Sequence, residues 1–409
     1  MLKLKTMTKK IETPARKAAQ EAIEKVFGCI DKNQSFILEA GAGSGKTYSL
    51  INTLEYLIEK RGAQYRKQHK QVACITFTNV AMEEINSRTD NHPVICTDTI
   101  HGFCWSLIRV FQTELKKELP ALGNWAEKLE ESEVQDLTTR EIIYENGYKR
   151  ILDTSVSIHH DDVISLTVKL MENDKFRSLM VSKYPVLLID EYQDTNADFA
   201  EALENHFIDG EEGLLIGLFG DHWQKIYGNG CGKIENESLE EIEKNSNFRS
   251  APQIVNVLNH IRPELKQEVE FPDIEGSVNV YHTNGFGGQR REGTHWAGDL
   301  EPADAHSFLE SLKVQLEQNS GWDMSPEKTK VLMLTHNVLA EEQGYKALAN
   351  VFRYNESFIK KEDKHILFFA DVLEPVIEAY EGKKYGKMFS VLGGKLPLIT
   401  SHSGKQKWS

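Results

Sequence analysis

Nine residues, Glu39-Ala-Gly-Ala-Gly-Ser-Gly-Lys-Thr47, constrain this chain more than any other stretch. Gly41, Ala42, Gly43, Ser44 and Gly45 run into Lys46 and Thr47, the pattern of a phosphate-binding loop whose leading glycine is replaced by Ala40. Such a loop needs a tight backbone and small side chains more than one particular glycine, so the replacement is mild. Upstream, Ser35–Glu39 is short, apolar and strand-like, and downstream Tyr48–Ile58 carries apolar residues at helical spacing. Strand, glycine loop and helix in register separate a phosphate loop from a plain glycine-rich turn. Backbone N–H groups and the helix N-terminus would cradle phosphates. Lys46 would reach the terminal phosphates, and the Thr47 hydroxyl would bind Mg²⁺.

At 409 residues the chain can bury a sizeable core and is expected to hold two or more domains. No apolar run has the length of a membrane span, and Met1–Lys10 lacks the apolar core of a signal peptide, so a cytoplasmic protein with no membrane partner is expected. The five cysteines are scattered, with no Cys-x-x-Cys pair, which supports neither a zinc site nor a disulfide framework. A net charge of −14 argues against indiscriminate nucleic-acid binding but leaves room for a local basic groove. The basic cluster Lys60–Lys70 reads first as a solvated surface and second as a binding patch.

In chain order, residues 11–30 read as a helix with Pro14 near its start. After the phosphate loop come a strand at Val72–Phe77, a helix at Asn79–Arg88 and a short strand at Val94–Cys96. Residues 106–183 are charged and long-helical with little strand character, an expected helical insertion. Val186–Ile189 then leads straight into Asp190 and Glu191, which places both acids at the carboxyl end of a buried parallel strand, where open α/β sheets bind ligands. Gly213–Asp221 repeats that design. Alternating strands and helices predict a parallel sheet with helices on both faces. Pro263 and the acidic run Glu268–Glu275 read as a linker, followed by a strand at Val278–Tyr281 and a β/α unit at Lys330–Thr335 and Leu339–Phe352.

Hydrolysis of a nucleoside triphosphate needs a phosphate cradle, a Mg²⁺ site and a group that activates water. Asp190 stands where it would hold Mg²⁺ through water, and Glu191 where it would orient and polarise the attacking water.

Together the motifs resemble those of the superfamily 1 helicases of the UvrD/Rep type, from about residue 13 to 262 and more faintly to about 380. Ala40–Thr47 resembles their motif I, where alanine leads. Thr76–Arg88 is similar to motif Ia, Thr97–Cys104 to Ib, Ile189–Thr195 to II, Phe219–Gly228 to III and Asn247–Ser250 to IV. The resemblance implies a RecA-like P-loop NTPase sheet flanked by helices, with ATP and Mg²⁺ as ligands. The implied first core domain is split between 1–105 and 184–262 around the insertion at 106–183, and 263–409 is a partial second RecA-like domain. It further implies that Gln224 senses the γ-phosphate, that Arg249 acts as an arginine finger, and that Phe248 stacks on the nucleotide base. Gln20 is the candidate adenine reader, and Phe77, Thr78, Asn79 and His101 would line a track for single-stranded DNA.

Two departures bear on activity. The family's Trp-Arg-Gly segment is replaced by Gly228–Lys233, and neither motif V nor motif VI is found before the chain stops at Ile399–Ser409. Within the family, the Gly-Asp-His-Trp-Gln-Lys-Ile-Tyr-Gly variant resembles the UvrD-like subunit of Gabija-type antiphage systems, which implies an OLD-family nuclease partner. Two readings stay open here: an ATP-dependent helicase or translocase on DNA with single-stranded tails, and a DNA- or nucleotide-sensing ATPase that regulates a partner without unwinding.

Overall fold

The computed structural model describes residues 13–134, 136–144, 149–210, 213–293, 297–333, 339–340, 342–351 and 364–392. The chain divides into two units, Met1–Val280 and Tyr281–Ser409.

The first unit opens with α1 (Pro14–Lys32), capped by the Thr13 hydroxyl, started by Pro14 and ended by Asn33 in the left-handed region. There follow β1 (Phe36–Glu39), α2 (Lys46–Gln68), β2 (Val72–Thr76), α3 (Asn79–Arg88), β3 (Ile95–Thr99) and α4 (Ile100–Ile108). The insertion holds α5 (Gln112–Glu118), α6 (Trp125–Glu131), β4 (Glu141–Tyr144), β5 (Arg150–Ile151), β6 (Ser155–Ile158), α7 (His160–Met171) and α8 (Asp174–Lys183). The chain then returns through β7 (Val186–Asp190), α9 (Ala197–Leu203), β8 (Leu215–Gly220), β9 (Glu240–Glu243), β10 (Ser246–Asn247), α10 (Pro252–Ile261) and β11 (Glu268–Val269).

Six strands form one sheet in the order β3-β2-β7-β8-β1-β9, and every pairing in it is parallel. Residues of β2, β7 and β8 are buried throughout, as strands covered on both faces require. The period of two divides their side chains between two cores. Phe36, Leu38, Val72, Cys74, Leu188 and Phe219 face α1 and α2. Ile37, Ala73, Ile75, Leu187, Ile189 and Leu218 belong to the other core, shared with Phe103 of α4 and with Trp125 and Leu166 of the insertion. The insertion therefore completes one face of the sheet. This is the RecA-like α/β arrangement expected from the sequence, and all the strand ends that matter for chemistry lie on its carboxyl edge.

Three local expectations are corrected. The insertion is not purely helical: β4 and β6 pair in parallel and β5 joins antiparallel, giving a small second sheet. The expected linker after Pro263 is docked, with Leu265, Gln267 and Glu270 buried and β11 paired to β10. Val278–Tyr281 is not a strand; Val280 is 84% exposed and pairs with no strand among the described residues.

In the second unit, α11 (Pro302–Ser320) ends at Gly321 in the left-handed region. Among its described residues, pairing is limited to an isolated bridge between Arg290 and Leu300. Lys330–Met333 is not in a strand, residues 339–340 and Lys346–Val351 are helical, and residues 334–338, 341 and 352, like Ile399–Ser409, lie outside the described residues. Among the described residues no helix is long and apolar enough to cross a membrane.

Candidate functional site

The phosphate-type loop joins β1 to α2. Gly43 and Gly45 both have φ of +77°, a conformation that glycine adopts without the strain a side chain would bring. A strap formed by residues 244–249 lies against it. Phe248 N–H donates to the Gly43 carbonyl (2.8 Å), Asn247 Nδ2 to the Ala42 carbonyl (3.0 Å) and Lys244 Nζ to the Gly45 carbonyl (2.8 Å). Gln267 adds a bond to the Ala42 carbonyl at 3.1 Å. The loop carbonyls are thus taken up by the strap. The N–H groups of Gly43 and Gly45 meet no acceptor among the described residues, and the first-turn N–H groups of α2 have no intrahelical partner. A concave run of donors at a helix N-terminus suits an anion.

Two buried polar atoms beside the loop support that reading. Ser44 Oγ and Asp190 Oδ1 have no hydrogen-bond partner among the described residues. Asp190 ends β7 and is 8% exposed; burial foremost, and then the neighbouring Glu191 charge, push its carboxyl up to about 6. A buried carboxylate with an idle oxygen is costly unless a cation or donor meets it. The donor set of Asp190 and the half-buried Thr47 is oxygen only, which is the chemistry Mg²⁺ selects.

Glu191 sits at φ 51°, ψ 48°, a left-handed conformation uncommon outside glycine that turns its carboxylate back across the sheet edge. There it forms an ion pair with Lys46. Gln193 Nε2 donates to the same Glu191 oxygen at 2.8 Å, while Gln193 Oε1 accepts from Asp221 N–H at 3.1 Å. The 1% exposed Gln193 therefore ties the end of β7 to the end of β8.

Asp221, the residue after β8, accepts from Gln224 Nε2 at 2.7 Å and from Trp223 N–H at 3.1 Å. Asp194 fixes the next turn by accepting from the N–H groups of Ile226 (3.0 Å) and Tyr227 (3.3 Å). That turn delivers the Tyr227 ring onto Phe77, with centroids 4.7 Å apart and planes 28° from parallel. Phe77, Thr78 and Asn79 are exposed on the β2–α3 turn, where the Thr78 hydroxyl caps α3. His101 stands in the first turn of α4, with its ring 4.9 Å from that of His160 in the insertion.

Of the remaining sequence candidates, Phe248 and Arg249 lie over the loop. A Cβ placed on Gly45 would lie 3.7 Å from the Phe248 ring, and one placed on Gly43 would lie 3.1 Å from Arg249 Cβ. Gln20 does not join them: it is exposed on α1 and donates to Glu24 at 2.8 Å. The α1 residue tied to the strap's flank is Arg16, which pairs with the buried Glu270.

Sequence reasoning missed Lys244. The residue is 1% exposed, and its ammonium group donates to Ser49 Oγ (2.6 Å) as well as to Gly45. Nothing in the strand Glu240–Glu243 before it marks an inward lysine. Burial lowers its pKa from 10.5 to about 8. A lowered ammonium pKa makes the charged form unfavourable in the fold. That penalty is complete below pH 8 and fades as pH rises to 10.5, so this group makes folding more favourable across that window. Against a Lys244→Met variant, the wild type should gain on the order of 2–3 kcal/mol between pH 7.5 and 10.5 in paired urea titrations. Parallel pH profiles would contradict the assignment.

The AAA domain family profile matches residues 19–229, from α1 through the turn carrying Gln224 and Tyr227. Gabija protein GajB of Bacillus cereus (strain HuB5-5) is 26% identical, with 85% of this chain aligned to 62% of that protein. ATP-dependent DNA helicase PcrA of Staphylococcus epidermidis is 26% identical over 55% of this chain and 37% of its own length. The chain thus spans less than two thirds of these relatives. Among solved structures, unliganded Pif1 from Bacteroides sp. matches 59% of this chain and 45% of its own at 17% identity and a TM-score of 0.29.

Proposed function

We propose that this chain, which belongs to the AAA domain family, is an ATP-dependent DNA helicase or translocase of the UvrD/Rep type. The observation that carries the reading is the Lys46–Glu191 ion pair, which spans the mouth of the glycine loop beside the unpartnered Asp190 oxygen. A lysine poised for phosphate and a carboxylate poised for water neutralise one another until a triphosphate separates them.

The residues act as follows. Gly43, Gly45 and the first turn of α2 present N–H groups to the phosphates of ATP. Lys46 exchanges Glu191 for phosphate oxygen, and the released carboxylate is then free to accept a proton from water. Thr47 and Asp190 would hold Mg²⁺, which when bound neutralises charge on the phosphates. Arg249 adds positive charge over the loop, Phe248 offers a ring for the base, and Gln224 reads the terminal phosphate from its seat on Asp221. The Phe77–Tyr227 stack gives DNA bases an aromatic platform, while Thr78, Asn79 and His101 meet the backbone without reading sequence.

On this reading, residues 1–105 and 184–262 are one core domain with 263–280 docked on it, 106–183 its insertion, and 281–409 part of a second core. The likeness to a Gabija protein supports a place in a Gabija-type antiphage system, and an OLD-family nuclease as partner and the cytoplasm as location complete the proposal. The test is strand separation of a duplex with a single-stranded tail, in ATP and Mg²⁺. Separation that needs ATP hydrolysis supports the helicase. Hydrolysis stimulated by DNA without separation would replace it with a sensor ATPase that regulates its partner.

A further inference from the structure

Resting on that reading, we propose that Arg262 is a positioning residue that relays the state of the nucleotide site to Trp223, and that the exposed indole of Trp223 stacks on a base of single-stranded DNA.

Arg262 follows α10, far along the chain from the residues it binds. Its side chain is 11% exposed and its guanidinium bridges Glu39 (3.3 Å) and Asp221, with a third bond to Glu264 (3.1 Å). Glu39 is the last residue of β1, directly before the phosphate loop. It also accepts from the Tyr192 hydroxyl and lies 3.3 Å from His222 Nδ1. One carboxylate thus gathers the turns after β7 and β8 and the end of α10. Carboxylate and imidazole atoms of Glu39, Asp221 and His222 lie within 4.8 Å of one another, a grouping that would otherwise suit a metal ion. Here the guanidinium takes that position, with Nη1 on Asp221 and Nη2 on Glu39.

The connection to ATP is continuous. Glu191 is bonded to Gln193, Gln193 to the Asp221 backbone, and the two Asp221 oxygens divide between Arg262 and Gln224. When Gln224 turns to a terminal phosphate, Asp221 loses a donor, and the balance of its bond to Arg262 changes. The outward connection is equally direct: the Arg262 guanidinium lies 5.9 Å from the Trp223 ring centroid, in cation–π contact. Trp223 is 55% exposed, in the turn that also delivers Tyr227 to Phe77. An indole held from one side by a guanidinium and open to solvent is a surface on which a base of any identity can stack. Only a planar fork can pair with two carboxylates and a ring together, so lysine is a poor substitute.

The experiment measures the affinity of the full chain for a fluorescein-labelled oligo(dT), with and without a non-hydrolysable ATP analogue and Mg²⁺. Wild type should show a nucleotide-dependent change of at least about fivefold. Arg262→Gln and Trp223→Ala should each bring that ratio to within about twofold of unity, and the double variant should go no further, as coupled residues do. Arg262→Lys should retain less than half of the wild-type change on a logarithmic scale. Trp223→Ala alters an exposed side chain and so reports even where Arg262→Gln unfolds the chain. A full nucleotide effect in Trp223→Ala or in a folded Arg262→Gln overturns the relay. Wild-type binding that ignores nucleotide overturns the relay alone; a wild-type chain that binds no oligonucleotide overturns the reading beneath it.

Discussion

Glu191→Gln is expected to lower ATP turnover by about 10²–10⁴-fold, the usual range for loss of a general base, while ATP binding is kept or tightened. The second half follows from the resting geometry. Lys46 must leave Glu191 to reach phosphate, so the carboxylate competes with ATP for the ammonium group. An amide of the same size still accepts from Gln193 Nε2 but no longer holds Lys46 by charge. Burst-free single-turnover hydrolysis together with nucleotide titration separates the two effects. Turnover within tenfold of wild type would remove Glu191 from its assigned role. Much weaker binding would show that the Lys46–Glu191 pair builds the site rather than blocking it.

Lys46→Ala should impair both steps. Loss of a charge-assisted contact is expected to weaken ATP binding by roughly 10–100-fold and to lower the rate at saturation by a further ~10²–10³-fold, as removal of a transition-state donor does. Folding should barely respond, because Glu191 is about one-third exposed and can recover solvent when its partner is gone. Thermal unfolding is therefore the control: a large fall in melting temperature would mean that lost activity reports lost structure. Comparing the two variants is more informative than either alone. One site with two roles predicts a chemical defect in both variants and a binding defect in Lys46→Ala alone.

The nucleotide half of the site was legible because its chemistry is local. Gly41–Thr47 and the apolar run into Asp190 and Glu191 each carry their own context, and β1, α2 and β7 formed where the pattern placed them. The residues that hold those groups were less visible, because their partners are remote in sequence. Arg262 meets Glu39 across 223 positions, and Gln267 meets the Ala42 carbonyl across 225. For the same reason, the stretch after Pro263 read as a linker although its first part, through Glu270, docks beside the loop. In the insertion, β4 and β6 are four residues each, too short to stand out in period against charged helices. Val278–Tyr281 failed in the opposite sense: its β-branched residues suit a strand, but a strand needs a partner and a face to bury. Gln20 has the right residue type, but its amide is exposed and bonds Glu24.

The central claim is that one cleft uses Lys46 and Glu191 to hydrolyse ATP and couples that chemistry to DNA on the Phe77–Tyr227 side. The most direct test is the steady-state rate of ATP hydrolysis by the whole chain in Mg²⁺, with and without single-stranded DNA, beside the Glu191→Gln control. Turnover that rises with DNA and vanishes in the control is the predicted result. Hydrolysis indifferent to DNA, or surviving in Glu191→Gln, would contradict it.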